Sequence, residues 1–208
     1  MLCDVGGHEA NLDALGPEVH ALYDALYQQQ NTLDAVWQEF RKLYASSPER
    51  IEVLNGTAPF FFRVVQELLW RDVLLRISRL LDPVKVAGKL TLTVRRLPSA
   101  VSDPVLSAEL DQLVQEAISK SKVPREWRNR QIAHTDLGLA LGSDATSLPE
   151  VNVRIIEEAL ASLRAILSRL DPTVHWGEPL VYGDADALAH YLENGVAHVH
   201  ARRNRRAV

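Results

Sequence analysis

The chain has 208 residues, of which 47% are hydrophobic and 24% are charged, and this balance excludes a disordered or fibrous protein. Its single cysteine, Cys3, excludes an intramolecular disulfide and a cysteine-based zinc site and favours a reducing, cytoplasmic compartment. The start of the chain does not resemble a signal peptide, and charges interrupt every apolar stretch well before the roughly 18 residues that a membrane span requires. We therefore expect a single cytoplasmic domain over residues 1–208, with no membrane partner.

The hydrophobic residues recur with a helical period from the beginning of the chain. Steps of three, four and seven residues predict a first long helix that begins near Pro17 and stops at residues 46–48. A second long helix is predicted to begin after Thr57, with Pro59 in its first turn. This helix is expected to end before Asp82-Pro83, because the residue before a proline disfavours the helical backbone.

The second half of the chain predicts four more helices. Residues 84–102 are mixed, and we interpret 90–94 as either a short extended segment or an ordered loop. The third helix is predicted to begin at Asp103-Pro104, the fourth at Pro124, the fifth near Val153 and the last after Asp184. The pattern predicts an all-α bundle.

The formal net charge of −4 argues at first against a nucleic-acid partner, but the basic residues are clustered. Five basic residues and one acid, Glu126, lie between residues 120 and 130, which gives a local charge of +4. The second cluster is the tail 201–208, which we expect to be basic and disordered. Because charge acts over about 8 Å at physiological salt, the overall charge does not exclude RNA.

The predicted fourth helix carries the sequence Trp127-Arg128-Asn129-Arg130-Gln131-Ile132-Ala133-His134-Thr135-Asp136. An arginine, a polar residue directly after it and a histidine six positions further on resemble the motif of the HEPN superfamily. Together with segments 77–80, 82–83 and 90–92, the Ala-His-Thr-Asp ending is similar to the HEPN domain of AbiU-type abortive phage-infection proteins. The resemblance covers residues 57–170 as a HEPN-like core, with the outer helices as additions.

This resemblance implies an up-and-down helical bundle that acts as a homodimeric, metal-independent ribonuclease of phage-defence or toxin type. The residue chemistry is consistent with it. His134 can exchange protons near neutral pH, Arg128 can bind two phosphate oxygens, and Asn129 can orient the phosphate or the imidazole. The partner expected is RNA, with an antitoxin or partner protein as a further possibility, and no metal or cofactor is predicted. The residues expected to bind RNA around the motif are Lys122, Arg125 and Arg130.

Helical geometry leaves the choice of arginine open. In an α-helix, Arg128 and His134 are about 120° apart around the axis and do not share a face, so one copy of the motif is an incomplete site. Arg130 and His134 are four residues apart and do share a face. His134 is alternatively a surface histidine that bonds Asp136 or the backbone, and both arginines are alternatively part of a solvated face.

The sequence also allows two other functions. The protein is alternatively a HEPN-like module without catalysis that binds RNA, a nucleotide or a partner protein, or a purely structural dimerisation bundle. Asp72 and Arg76 are spaced for an ordinary helix ion pair. Arg79 lies in the upstream part of the resemblance and is alternatively a residue of the site. The tryptophans Trp37, Trp70 and Trp127 are interpreted as core residues.

Overall fold

A computed structural model describes residues 12–132, 148–174, 176 and 184–206 of the protein, with side chains as far as residue 195. The helices are α1 (Pro17–Tyr44), α2 (Pro48–Thr57), α3 (Pro59–Leu80), α4 (Leu97–Ala100), α5 (Pro104–Lys120), α6 (Lys122–Trp127), α7 (Val153–Leu170) and α8 (Ala185–Arg206). The described part has one two-stranded sheet, formed by β1 (Lys85–Val86) and β2 (Lys89–Leu90). The predicted all-α class is confirmed. None of the described helices is long and apolar enough to cross a membrane.

The structure confirms the helix starts predicted at Asp103 and Asp184. Asp103 Oδ1 accepts a hydrogen bond from Val105 N at 2.8 Å at the start of α5, where Pro104 occupies the first turn. Asp184 stands at the start of α8, and its carbonyl accepts from Leu188 N. Helix α2 was not predicted, although Ser47 and the proline after it carry the same signal. Ser47 Oγ accepts from Arg50 N at 3.2 Å.

The described chain forms two compact units, and the first comprises residues 12–33 and 74–176. Its α5 packs along α7. The apolar faces of these two helices are buried, with Leu110 and Leu163 both fully inaccessible to solvent. Tyr23 of α1 is also buried, and this burial, with the nearby Asp171 carboxylate, raises the pKa of its hydroxyl far above the usual range.

A hairpin and a short 3₁₀ turn follow α3 within the first unit. Ala87 and Gly88, between the two strands, both have positive φ, at 49° and 79°, as the tight turn of a two-residue hairpin requires. Thr93 is fully buried and fixes the exit of this loop, because its Oγ1 donates to the Leu80 carbonyl at 2.9 Å and accepts from Arg95 N at 3.3 Å. One side chain therefore satisfies the end of α3 and the start of the 3₁₀ turn at Val94–Arg96.

The second unit comprises residues 34–73 and 184–206, and in it α2 packs against α8. Arg50 joins these helices by donating to Asp186 Oδ1 at 2.9 Å, which lowers the pKa of that carboxyl. An aromatic cluster includes Trp37 and Phe40, whose rings stack at 5.4 Å. The predicted core role of Trp37 is confirmed by its burial, whereas Trp70 is half-buried.

Candidate active site

The helix that leads into the Arg128 motif begins two residues earlier than predicted. α6 starts at Lys122, and Pro124 is a buried residue of its first turn. A proline is tolerated there because the first backbone N–H groups of a helix have no acceptor within it. Trp127, at the end of α6, is half-buried, so its predicted core role is only partly correct. Its Nε1 donates to the Pro149 carbonyl at 2.8 Å, which ties the motif to the segment before α7.

Residues Arg128–Ile132 form a π-helical turn rather than a continuation of the α-helix. In a π turn the backbone bonds span five residues instead of four, so side chains are rotated relative to an α-helical register. The α-helical register that the sequence analysis assumes after Arg128 therefore does not hold over Arg128–Ile132. His134 and Asp136 lie outside the described residues. Single π turns occur frequently at functional sites.

Arg128 is held on two sides by polar neighbours. Its Nη2 lies 3.4 Å from Asp82 Oδ2, and its Nη1 donates to Asn129 Oδ1 at 3.0 Å. The Arg128 side chain is 30% exposed and that of Asp82 only 16%. Arg128 Nε is buried and has no hydrogen-bond partner among the described residues. The guanidinium is thus oriented by two polar neighbours, while its Nε has no partner within the part of the chain that the structure describes.

Three of the other side chains of the π turn, those of Asn129, Arg130 and Gln131, are polar. Asn129 is exposed and accepts from Arg128, so in this structure it orients the guanidinium. Gln131 Oε1 is buried without a hydrogen-bond partner in the described part of the chain. Arg130, the competing arginine, is 18% exposed, and its Nη1 lies 3.6 Å from Glu126 Oε1, an ion pair between residues four positions apart.

The remaining basic residues of the cluster differ in their partners. Lys120 lies 3.9 Å from Glu158, at the start of the cluster. Lys122 is exposed and Arg125 half-buried, and neither lies within ion-pair distance of a carboxylate in the described ranges. Their role in binding RNA stays a prediction.

Asp82 is the site residue that sequence reasoning missed as a functional group. In the sequence Asp82 was interpreted only as a helix stop before Pro83 and as part of the upstream resemblance. In the structure its carboxylate is the ion-pair partner of Arg128, 46 positions away. The separation explains the omission, because no local spacing rule connects the two residues. The signal available was an acid in an otherwise basic stretch, directly after a helix end.

No group of three or more histidine, cysteine, aspartate or glutamate side chains within the described residues is arranged to hold a metal ion. The HEPN class of proteins is helical, as is the described part of this chain. The AbiU2 family of HEPN domains matches residues 16–175, and the chain belongs to this family. That family functions in abortive-infection phage defence, and HEPN proteins are typically ribonucleases. No similarity was found to a curated protein or to a solved structure.

Proposed function

We propose that this protein is a metal-independent endoribonuclease that cuts RNA during phage defence and acts in the cytoplasm as a homodimer. The observation that carries the proposal is the state of Arg128: the guanidinium is fixed by Asp82 and Asn129, and its buried Nε has no partner among the described residues. The Arg128 side chain is 30% exposed, so a phosphate can approach the guanidinium from solvent. A phosphate oxygen of RNA is an acceptor of the right charge for the exposed N–H donors of this group.

The reaction follows from the chemistry of RNA. The ribose 2′-oxygen attacks phosphorus as a base removes its proton, the bond from phosphorus to the 5′-oxygen breaks, and an acid protonates that leaving oxygen. The products are a 2′,3′-cyclic phosphate and a 5′-hydroxyl. His134 is assigned to proton transfer, and Arg128 to stabilising the charge that develops on the phosphate oxygens. Asn129 keeps the guanidinium in position.

A dimer supplies the second proton-transfer group, since each copy of the motif contains one histidine. We assign the contact between copies to an exposed apolar stripe on α3, in which Phe60 is 80%, Phe61 60% and Leu68 60% exposed. Covering the two phenylalanines removes roughly 300 Å² of each copy from water. A specific interface buries about 800 Å² per partner, so the stripe supplies its apolar centre.

The dimer is tested by light scattering on Leu68→Glu, with Val105→Glu, an exposed apolar residue of α5, as the matched control. We expect Leu68→Glu to be monomeric and to lose RNA cleavage, and the control to be unchanged. A wild-type chain that is monomeric at micromolar concentration would contradict the assignment and leave the stripe to a neutralising partner protein.

The reaction is tested with purified protein and end-labelled RNA in the presence and absence of EDTA. We expect cleavage in excess chelator, the end groups given above, and no cleavage of DNA or 2′-O-methylated RNA, because neither offers the nucleophile. Activity should fall on both sides of the imidazole range, since one histidine must be neutral while the other is protonated. His134→Ala should be inactive, and His190→Ala, an exposed histidine of α8, should match wild type. Cleavage that leaves a 5′-phosphate would overturn the mechanism.

One observation favours a second candidate, a HEPN module that binds RNA without cutting it. The Arg128 guanidinium already has an acidic partner in Asp82, which is the arrangement of a structural ion pair. Intact RNA under every condition, with RNA binding retained and Arg128→Ala unfolded, would favour this module over the enzyme.

A further inference from the structure

A second basic segment of the chain lies in the first unit, from the end of α3 to the 3₁₀ turn. Residues 76–96 contain six basic side chains and one acid, a net charge of +5. The single acid is Asp82, which is paired with Arg128. Lys85 and Lys89 of the hairpin are exposed. Arg96 lies 3.7 Å from Glu18, so the exposed positive charge of this segment comes chiefly from Arg79, Lys85 and Lys89.

The same segment lines a small pocket. Its volume is about 140 Å³, and its lining consists of Gln29, Arg76, Arg79, Leu80 and Leu92. Pockets for drug-sized ligands measure about 300–1,000 Å³, so this one has room for a single ring or group. Two arginines and an amide beside two leucines offer both a planar cation and an apolar wall.

The pocket adjoins the Arg128 site. Asp82 N donates to the Arg79 carbonyl at 3.2 Å, a bond across three residues as in a 3₁₀ turn. Side chains three residues apart are eclipsed in such a turn. Arg79 therefore lies on the same side of the chain as Asp82, whose carboxylate contacts the Arg128 guanidinium.

The pocket walls are fixed by the hydrogen bonds of the loop. Thr93 Oγ1 bonds the Leu80 carbonyl, and Thr91 N bonds the Val84 carbonyl at 3.0 Å, so Leu92, between these two threonines, is held beside the end of α3. Arg79 is exposed and lies within ion-pair distance of no carboxylate in the described residues. Its positive charge is therefore available to an anion.

We propose that this pocket is a subsite for one unstacked nucleotide of single-stranded RNA, next to the phosphate bound by Arg128; the proposal rests on the proposed ribonuclease function. Unpaired bases of RNA are held by stacking on arginine planes and by hydrogen bonds to their edges. The guanidinium of Arg79 supplies the plane on which the base stacks, and Leu92 supplies the apolar wall. The Gln29 amide makes the hydrogen bonds to the edge of the base. Arg79 also binds the phosphate of this nucleotide.

The test measures binding of a fluorescently labelled single-stranded RNA, and of the same RNA in a duplex, by anisotropy over a series of salt concentrations. All proteins carry His134→Ala so that the RNA stays intact. Arg79→Gln is expected to weaken single-strand binding roughly tenfold and to reduce the slope of log K against log salt by about 0.7. Gln29→Ala should weaken binding several-fold without changing the slope, because it removes no charge. Arg154→Gln, an exposed arginine of α7 outside the pocket, is the matched control.

The outcomes separate the subsite from the enzyme. Equal single-strand affinity and salt slope for Arg79→Gln, Gln29→Ala and Arg154→Gln, with unchanged thermal melting, would overturn the subsite even if the wild-type enzyme cleaves RNA. An equal loss with duplex RNA would also overturn it, because a duplex has no unstacked base to insert. If both pocket variants weaken single-strand binding as stated while the wild-type protein cleaves nothing, the subsite stands and the proposed catalysis fails.

Discussion

Helix α7 and the segment formed by α6 and its π turn belong to the same unit but are built in opposite ways. In α7, Asn152 caps the first turn with a 3.1 Å bond to Ile155 N, and eight residues are buried along one face. α6 has no side-chain cap, and none of the residues in its π turn is buried. Two buried polar atoms there, Arg128 Nε and Gln131 Oε1, have no hydrogen-bond partner in the described part of the chain.

Helix α7 therefore contributes to the stability of the fold, whereas the conformation of the π turn depends on contacts with other parts of the fold. In α7 the cap, the period and the burial all favour the same helix, which is the consistency that stabilises a native state. In the π turn these signals disagree, and the backbone is fixed by contacts from elsewhere, namely Trp127 with Pro149 and Arg128 with Asp82. Proteins tolerate such disagreement mainly at functional sites.

The largest effect on stability is expected from a cavity in α7. Leu163→Ala should lower the free energy of unfolding by about 2–5 kcal/mol, because the side chain is fully buried and its space cannot collapse completely. Urea denaturation measures this loss. Arg154→Ala, on the exposed side of the same helix, should change the value by no more than about 0.5 kcal/mol. Similar effects of both variants would mean that α7 is not the centre of this core.

A smaller effect is expected at the cap of the same helix. Asn152→Ala should destabilise the protein by about 1 kcal/mol, since Ile155 N loses its acceptor. Asn152→Asp keeps an acceptor oxygen in place and serves as the control in the same denaturation experiment. If the two variants unfold at the same urea concentration, the cap contributes nothing.

The smallest change in stability, and the opposite sign, is expected in the π turn. Gln131→Leu removes a buried oxygen that has no partner among the described residues, so the free energy of unfolding should stay constant or rise by up to about 1 kcal/mol. Gln131→Glu, which introduces a charge, should be less stable than wild type. A destabilised Gln131→Leu would show that the amide has a structural partner.

Much of the fold was predictable because its signals are local. Pro17, Asp103-Pro104 and Asp171-Pro172 mark helix ends within one turn of the residues concerned, and the structure agrees with them. Helix α2 was missed, although Ser47 and Pro48 repeat the signal used at Asp103. Its apolar pattern is weak, since Leu54 is its single buried residue.

The site was less predictable, because its geometry depends on contacts between distant residues. The motif itself was read from the sequence, and the family assignment is confirmed. The π turn, the pairing of Arg128 with Asp82 and the pocket beside Arg79 have no local signature. The angular argument between Arg128 and His134 assumed an unbroken α-helix, whereas Arg128–Ile132 is a π turn and His134 lies outside the described residues.

The central claim is that Arg128 acts on the phosphate while Arg130 is an ion-pair partner of Glu126. The most direct measurement is the initial rate of RNA cleavage by Arg128→Ala and Arg130→Ala, compared with wild type at equal amounts of folded protein. We predict that Arg128→Ala loses a factor of about 10³–10⁵ in rate, the range known for arginines that stabilise a phosphoryl transition state. Arg130→Ala should lose only RNA affinity. An inactive Arg130→Ala beside an active Arg128→Ala would contradict the account.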